Sequence, residues 1–465
     1  MTRATDITVS ILMGVSLLVL MLETIGNRQA KNGLFERPHI RLLVFGTLIA
    51  TFLFLFLDLY QSTTLARRPF NFLSNIASLF MLLNTAIAMA IETNGKAKQQ
   101  TAEVYFLLLA SLALSIAAVC TSFLVLKMAA TVGWLAAMTA LVVRSTEGGK
   151  KAEIGLKMSF VIIMIAVQFI FAIFLLSVSN YSLDLQNLSL QAHKNISVAL
   201  IGLMMMVLVG LALAGVPPFH FGHVDCADGG NISLAFLFLS NSALQGGALL
   251  VNVRNILLKS GMAVADEVHL IGVMLIFGFI VLYLRALDQS RLRRTAAYIA
   301  TSVGPLFAMS MLFGASVLLP KLVFLLAIFS FLTLTLFTLY GSLIYMDPIN
   351  LPWATWEDMS GFGRVKPLPT LTFLIALASI AGLPGTIGYF IKLSLIAPLN
   401  KNILMSGSVF LSIAIGAAFV MRVFVFMFSK LPQKSLRESA SPRPHISLIA
   451  ASIILIVLGF FPFVH

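Results

Sequence analysis

The amino-acid sequence predicts an all-α membrane protein, because apolar runs of helical length follow one another, charged residues are scarce, and only short polar segments separate the runs. Of the 465 residues, 59% are hydrophobic and 11% are charged, whereas about a quarter of the residues in a soluble domain are charged. A membrane-spanning helix needs about 20 predominantly apolar residues. Runs of that length recur from Ile7 almost to His465, so the lipid bilayer is the expected surrounding of the chain.

The apolar runs, bounded by charged or turn-rich segments, predict about fourteen membrane-spanning helices. The boundary between the fourth and fifth helices is weak, since Val119–Ser122 contains neither glycine nor proline. Only Arg3 precedes the first run and no small-residue cleavage site follows it, so we expect a retained helix. The predicted spans are 7–26, 41–61, 70–92, 103–120, 122–143, 154–178, 196–216, 231–257, 267–285, 295–314, 316–345, 368–399, 403–428 and 446–463.

The charges of the loops predict how the chain is oriented. Lysine and arginine are enriched in the short loops on the cytoplasmic side of a membrane protein. If the N-terminus lies outside, the inner loops hold most of these residues, among them Arg28, Lys96, Arg144, Arg293 and Lys434. We therefore expect a multi-pass protein of the inner (cytoplasmic) membrane with both termini on the periplasmic side.

Charge and cysteine content argue against several functional classes. The net charge is +13, but the basic residues are scattered over short loops, so no nucleic-acid partner is expected. Cys120 and Cys226 fit neither a disulfide framework nor a four-ligand metal site, and the sequence contains no CxxC or HExxH motif. We expect no cofactor and no redox chemistry within this chain.

Helix-breaking residues interrupt the seventh and twelfth predicted helices. Pro217 and Pro218 end the seventh, and Pro384 lies inside the twelfth. Proline removes an intrahelical hydrogen bond, and backbone groups freed at membrane depth are tolerated only inside protein or beside a wet cavity. Paired broken helices indicate a transporter with internal repeats and an ion site near the membrane centre. For either proline alone, a kink that serves packing is the alternative.

Three motifs follow one another in a fixed order. The first, Pro218–Asp225, reads Pro-Phe-His-Phe-Gly-His-Val-Asp after the first break. The second, Arg293–Gly304, places an Arg-Arg pair ahead of Tyr298 at the start of the tenth helix. The third, Ser379–Lys392, contains Ala-Gly-Leu-Pro-Gly and ends in a lysine.

Together these motifs resemble those of the antiporter-like proton-channel subunits of respiratory complex I, and the third is most similar to the bacterial N subunit. The resemblance covers about residues 103–463, although Gly222 stands where the family's first motif has tryptophan. It implies a membrane-arm subunit of a complex I-like NADH:quinone oxidoreductase, which takes part in proton translocation coupled to electron transfer and assembles with other membrane subunits.

The resemblance also implies a domain organisation. It predicts about fourteen helices with two five-helix inverted repeats and discontinuous seventh and twelfth helices. The expected segments are 1–102 for the N-terminal helices, 103–257 for the first antiporter-like repeat, and 258–465 for the second repeat and the C-terminal helices.

Ionisable residues inside the apolar runs are the candidates for proton transfer. A charge at the membrane centre costs at least about 2.5–3.5 kcal/mol on insertion scales, so such residues are functional candidates. A buried lysine can exchange protons because burial disfavours its charged form. His220, His223 and Asp225 follow the first break, where they would either relay protons through water or simply solvate a loop. The predicted proton-transfer residues are Lys127, Lys157, Lys392, His220 and Asp225.

The positions of the lysines depart from the family pattern. Lys157 and Lys392 match family lysines, but Lys127 stands where the family has a glutamate on the fifth helix. Leu213 and Ser242 stand where the seventh- and eighth-helix lysines are expected. Lys127 is therefore predicted to meet a carboxylate of a partner subunit or to lie at a water-accessible edge.

Two further expectations concern the position of charged groups. Lys392 is predicted to lie in the protein interior beside a polar cavity, next to a helix break near Pro384. Asp58, Lys321 and Arg422 lie close enough to helix ends to reach the membrane interface.

Three functions remain open from the sequence. The first is the complex I-like subunit described above. The second is a subunit of a multisubunit cation/proton antiporter, which shares this fold. The third is a degenerate, non-conducting subunit that joins active neighbours.

Overall fold

The computed structural model describes most of the helical part of the chain. The described residues are 7–19, 37–64, 69–93, 102–146, 150–188, 196–259, 265–314, 320–346, 355–356, 359–399, 403–429 and 446–460. Within these ranges the backbone is helical apart from turns and two isolated β-bridges. The chain is therefore all-α wherever it is described.

Each span that the sequence predicts contains described helix. Where helix ends are described, they fall within a few residues of the predicted ones, although the first span is described only to residue 19 and the span 368–399 contains two helices. The helices are α1 (Ile7–Val19), α2 (Arg37–Thr64), α3 (Pro69–Thr93), α4 (Ala102–Cys120), α5 (Leu124–Ser145), α6 (Lys150–Val178), α7 (Ile196–Leu213), α8 (His220–Gly229), α9 (Ile232–Lys259), α10 (Ala265–Leu287), α11 (Leu292–Gly314), α12 (Pro320–Met346), α13 (Phe362–Val365), α14 (Pro367–Ala381), α15 (Ile387–Leu399), α16 (Ile403–Ser429) and α17 (Ile446–Phe460).

The protein is a multi-pass membrane protein. In the described ranges, 9 helices are long and apolar enough to cross a membrane. Further apolar helices, including α1, α14 and α17, are shorter. The count of fourteen spans and the inverted repeats stay predictions.

The described residues form two compact units. The first comprises Met1–Gly210 and Asn252–Met262, and the second comprises Leu211–Val251 and Ala263–His465. The repeats predicted from the family resemblance need not coincide with these units, so their boundaries also stay predictions.

In the first unit, helices that follow one another in sequence pack side by side, from α2 on α3 to α5 on α6. The weak boundary between α4 and α5 is a real turn. Leu124 N donates to Leu183 O at 3.0 Å, and Leu185 N donates to Ser122 O at 3.1 Å. This short bridge satisfies the backbone where the chain reverses, which explains why the turn needs neither glycine nor proline.

In the second unit, α11 lies among several helices and contacts α8, α10, α12 and α15. Its membrane-spanning stretch is buried throughout, whereas only 33% of the corresponding stretch of α16 is buried. The outer face of α16 is apolar and includes Phe410 and Met421, which are more than half exposed. Such a surface is suited to lipid or to an apolar neighbour.

The residues expected at helix ends are only partly described. Arg422 is exposed and donates from its NH1 group to the Leu287 carbonyl, where α10 ends, at 3.0 Å. This contact agrees with a position near a helix end. The side chains of Asp58 and Lys321 lie outside the described part of the chain.

Candidate functional site

The first helix break follows the end of α7. Gly215 has a φ of 73°, in the left-handed region that glycine adopts without strain. Gly215 N donates to Ala212 O at 3.1 Å, and Val216 N donates to Leu211 O at 3.0 Å. This paired capping pattern is the Schellman motif. Pro217 and Pro218 follow it, so α7 cannot continue, and the short helix α8 begins at His220.

The second break, between α14 and α15, has the same local structure. Gly382 has a φ of 75°, its N–H donates to Ser379 O at 3.1 Å, and Leu383 N donates to Ala378 O at 2.9 Å. Pro384 follows directly. The predicted discontinuity of the seventh and twelfth helices is confirmed at both positions, and both breaks use an Ala-Gly-apolar-Pro sequence.

Lys392 lies in the interior beside the second break. Its side chain is only 1% exposed. Its Nζ donates to the carbonyl oxygen of Ala381, the last residue of α14, at 2.8 Å, and lies 4.3 Å from the ring centroid of Phe279. The negative end of the α14 dipole and the face of an aromatic ring both favour a positive charge at this place.

A small cavity adjoins Lys392, and its lining corrects one prediction. Its volume is about 10 Å³, which is about the room that one water molecule needs. The described residues around it come from α10, α11, α15 and α16 and are apolar apart from Lys392 and Ser412. Lys392 is interior, as predicted, but the expected polar cavity is wrong, because apolar side chains surround its stem.

Lys127 is buried against the end of α4. The residue is 3% exposed. Its Nζ donates to the Ala118 carbonyl and lies 3.5 Å from Val119 O. The prediction that Lys127 lies at a water-accessible edge is therefore wrong, because carbonyls at the C-terminal end of a neighbouring helix bind its ammonium group. The partner-subunit carboxylate stays a prediction.

Lys157 has a different environment from Lys127. It lies on a partly exposed face of α6, and its Nζ is 2.6 Å from Glu153 Oε1, one turn earlier. The side chains of Lys157 and Glu153 are 35% and 58% exposed. Neighbouring Leu156 and Phe160 are exposed apolar residues. The structure thus gives Lys157 an acidic partner from its own helix.

His220 and Asp225 lie on α8, which packs against α11. His220 is near Tyr298, with ring centroids 6.2 Å apart. Asp225 Oδ1 lies 3.9 Å from Arg294 NH2. Two of the sequence motifs, one after the first break and one at the start of α11, are therefore in contact.

Arg293 adds a second link between α8 and α11. Its NH2 group donates to the Gly230 carbonyl at the end of α8. Carbonyls at a helix C-terminus lack intrahelical donors and attract cations. The Arg-Arg pair thus contacts α8 at the Asp225 carboxylate and at the carbonyl that follows its last turn.

His223, which the sequence analysis named together with His220 and Asp225 after the first break, is buried and meets partners that the sequence did not indicate. His223 is 2% exposed and Ser242, on α9, is fully buried. His223 Nε2 lies 3.2 Å from Leu213 O and 3.1 Å from Ser242 Oγ. The signal in the sequence was a second histidine three residues after the first, beside a double proline.

Pro305 is a further residue of this region that was not predicted from the sequence. It lies inside α11 and lines the cavity beside Lys392. A proline within a helix leaves the carbonyl four residues earlier without its usual donor. The sequence signal was Gly304-Pro305 within the tenth predicted span.

The chain is similar to known proteins in family, sequence and fold. A family profile described as NADH:quinone oxidoreductase/Mrp antiporter, transmembrane, matches residues 124–420. NADH-quinone oxidoreductase subunit N from Alkalilimnicola ehrlichii is 26% identical over 269 residues, which cover 56% of this chain and 53% of the relative. The chain spans about half the length of such curated relatives, or less.

Two solved structures share the fold over nearly the whole chain. A chain of respiratory complex I from Thermus thermophilus is 20% identical with a TM-score of 0.72, covering 97% of this chain and 96% of that one. A chain of the Mrp complex from Dietzia sp. is 13% identical with a TM-score of 0.77, covering 99% and 95%. At these identities the likeness establishes the fold alone.

Proposed function

The chain belongs to the NADH:quinone oxidoreductase/Mrp antiporter transmembrane family, and from this premise we propose that it is a membrane-arm subunit of a complex I-like NADH:quinone oxidoreductase. In this role it takes part in proton translocation that is driven by electron transfer in other subunits. The curated relatives that support this choice are N subunits of NADH-quinone oxidoreductases.

The position of Lys392 is the observation that carries the proposal. Burying a lysine in a membrane protein costs free energy, and Lys392 is only 1% exposed. A residue kept at such a cost is a functional candidate. Here it follows a broken helix and donates to the carbonyl at the break. A basic group held at a helix break matches the arrangement by which transporters bind ions near the membrane centre.

The other candidate residues receive roles according to their surroundings. The Lys157–Glu153 pair supplies an acid and a base on one face of α6. His220 and Asp225 lie next to the first break, where they connect it to the polar start of α11. Lys127 stabilises the end of α4, so its part in this proposal is structural, unless a partner carboxylate reaches it.

The proposal includes a location and an organisation. The chain lies in the inner (cytoplasmic) membrane with both termini on the periplasmic side, and its partners are the other membrane subunits of the complex and the surrounding lipid. Its fourteen spans contain two inverted repeats, each with one broken helix. The identical capping at Gly215 and Gly382 supports this pairing of the breaks.

Purification of the tagged chain with its native partners tests the proposal. We expect flavin- and iron–sulfur-containing proteins to copurify, and the reconstituted complex to acidify or alkalinise vesicles during NADH-driven quinone reduction. Lys392→Met should reduce protons moved per electron without loss of the partners. Lys366→Met, just before α14, is the matched control.

The same preparation separates the alternatives. If the chain copurifies only with small hydrophobic subunits and exchanges cations for protons without NADH, it belongs to an antiporter and the proposal fails. If the oxidoreductase assembles but neither Lys392→Met nor Lys157→Ala changes proton translocation, the chain is a scaffold and the translocation part fails.

A further inference from the structure

The carbonyl of Leu213 is freed by the sequence around the first break. In an α-helix, the carbonyl of one residue accepts from the N–H four residues later. For Leu213 that residue is Pro217, which has no N–H. A buried carbonyl without a donor costs about 1–3 kcal/mol, so another group has to supply the hydrogen bond.

Two side chains meet at this carbonyl. Ser242 Oγ donates to Leu213 O at 2.5 Å, and His223 Nε2 lies 3.2 Å from the same oxygen. Because a carbonyl can only accept and the serine proton already points to it, the neutral imidazole carries its proton on Nε2. The basic nitrogen of the ring is then Nδ1.

Nδ1 is available for a second proton. It is buried and makes no hydrogen bond with the residues that the structure describes. The rest of the ring is enclosed, with Phe238 at 5.1 Å between ring centroids and His223 only 2% exposed. The described residues offer Nδ1 no acceptor, so a proton taken up there needs another acceptor, such as a water molecule.

We propose that His223 is a proton-exchanging residue of the first broken helix, with the Leu213 carbonyl and the Ser242 hydroxyl as its fixed partners. The inference rests on the proposed function and adds a residue to it. In the exchange, an N–H bond forms at Nδ1 as an O–H bond of a hydronium ion breaks and leaves water. When the ring returns to the neutral state, the Nδ1–H bond breaks and the proton passes to a water molecule. No electrons move, and imidazole is the side chain suited to this exchange near neutral pH.

The other charged or titratable groups around α8 have partners of their own or lie beside His220. His220 is on the same helix, three residues before His223. On α11, Arg293 is bound to Gly230, Arg294 faces Asp225, and Tyr298 is beside His220. From α9, Ser242 and Phe238 contact His223, and neither side chain titrates.

The first test is His223→Gln in the purified complex. Glutamine keeps an N–H donor for the Leu213 carbonyl but cannot take up a proton. We expect normal assembly and NADH-driven electron transfer, with loss of protons translocated per electron. If the His223→Gln complex translocates as many protons per electron as the wild-type complex, the proposal is overturned. Adding Ser242→Lys to His223→Gln returns a base to this place, and recovery of translocation would exclude a purely structural role for the histidine.

The second test does not depend on the complex or on a tolerated substitution. The full-length chain is labelled with nitrogen-15 at its histidines and placed in lipid, and its spectra report the protonation of each ring nitrogen. The His223 signals are assigned by their loss in the His223→Gln variant or by their distance to labelled serine. As the pH of the sample is lowered stepwise, we expect the His223 ring to change from its neutral to its cationic form. A ring that stays in one neutral tautomer throughout would overturn the inference. If instead wild-type complex moves no protons, the proposed function fails, while these spectra still decide the chemistry of His223.

Discussion

The Nζ atom of Lys392 donates to the carbonyl oxygen of Ala381 at 2.8 Å, so that a lysine in the middle of α15 caps the end of α14. Lys127 has the same relationship to α4, since its Nζ donates to the carbonyl of Ala118 in the last turn of that helix. In both cases a buried cation meets the negative end of the preceding apolar helix. The two lysines differ in what lies around them, and this difference yields separate predictions.

Lys392→Met is expected to lower proton translocation per electron while the protein still assembles. Methionine fills the space of the apolar stem but neither carries a proton nor donates to Ala381, and an unpaired buried carbonyl costs about 1–3 kcal/mol. Proton uptake and quinone reduction should be measured on the same vesicles. Translocation per electron equal to that of Lys366→Met would contradict the assigned role.

Lys127→Ala is expected to leave both assembly and proton translocation per electron intact. Lys127 caps the end of α4, and loss of its hydrogen bond to Ala118 should lower the free energy of unfolding by about 1–3 kcal/mol. The measurement compares this variant with Lys392→Ala in the same reconstituted complex. Abolished translocation in an assembled Lys127→Ala complex would show that Lys127 is on the proton path.

Lys127→Glu provides the contrast for this role. A carboxylate at this position would face the carbonyls of Ala118 and Val119, which repel a negative charge. We therefore expect Lys127→Glu to unfold at a lower temperature than Lys127→Ala. Equal thermal stability of the two variants would argue against capping as the role of this lysine.

The Glu153–Lys157 pair is expected to contribute little to stability. Its members are one turn apart on a partly exposed face of α6, where such pairs couple by about 0.3–0.5 kcal/mol. A double-mutant cycle with Glu153→Ala and Lys157→Ala measures the coupling directly. A coupling several times larger would mean that lipid or a partner subunit excludes water from this face.

Gly304→Ala is expected to destabilise the first break. A Cβ at Gly304 would overlap the carbonyl oxygen of Ala214, which is backbone and cannot move aside. Gly407→Ala is the matched control, because a Cβ there meets nothing within 4 Å. Thermal unfolding in detergent should show a lower midpoint for Gly304→Ala alone. A similar midpoint in both variants would mean that α11 and the break can separate freely.

Most of the helical architecture could be predicted from the sequence. Apolar runs and their polar boundaries fix where a chain can cross lipid, and prolines fix where a helix stops, so the breaks at Pro217 and Pro384 were predictable. The helix α8 was not, because His220–Gly229 is a short polar stretch without helical periodicity. It is helical because α11 holds it through Arg293 and Arg294.

The candidate site was less predictable than the fold. A lysine in an apolar run is visible, and the interior position of Lys392 followed from that. The direction in which Lys127 points was not visible, because it depends on the packing of α5 against α4. Likewise, nothing in the spacing of His223 and Ser242 indicates that both meet the Leu213 carbonyl, since that contact exists only after the chain has turned at Gly215.

The shared cap at Gly215 and Gly382 gives this chain two internal reference points. Counted from its glycine, the tenth residue is Asp225 after the first break and Lys392 after the second, so equivalent places carry opposite charges. Divergent relatives can be brought into register on the Ala-Gly-apolar-Pro sequence even where the ionisable residues have been exchanged or lost. The evolutionary history of each charge can then be followed separately from that of the backbone that holds it.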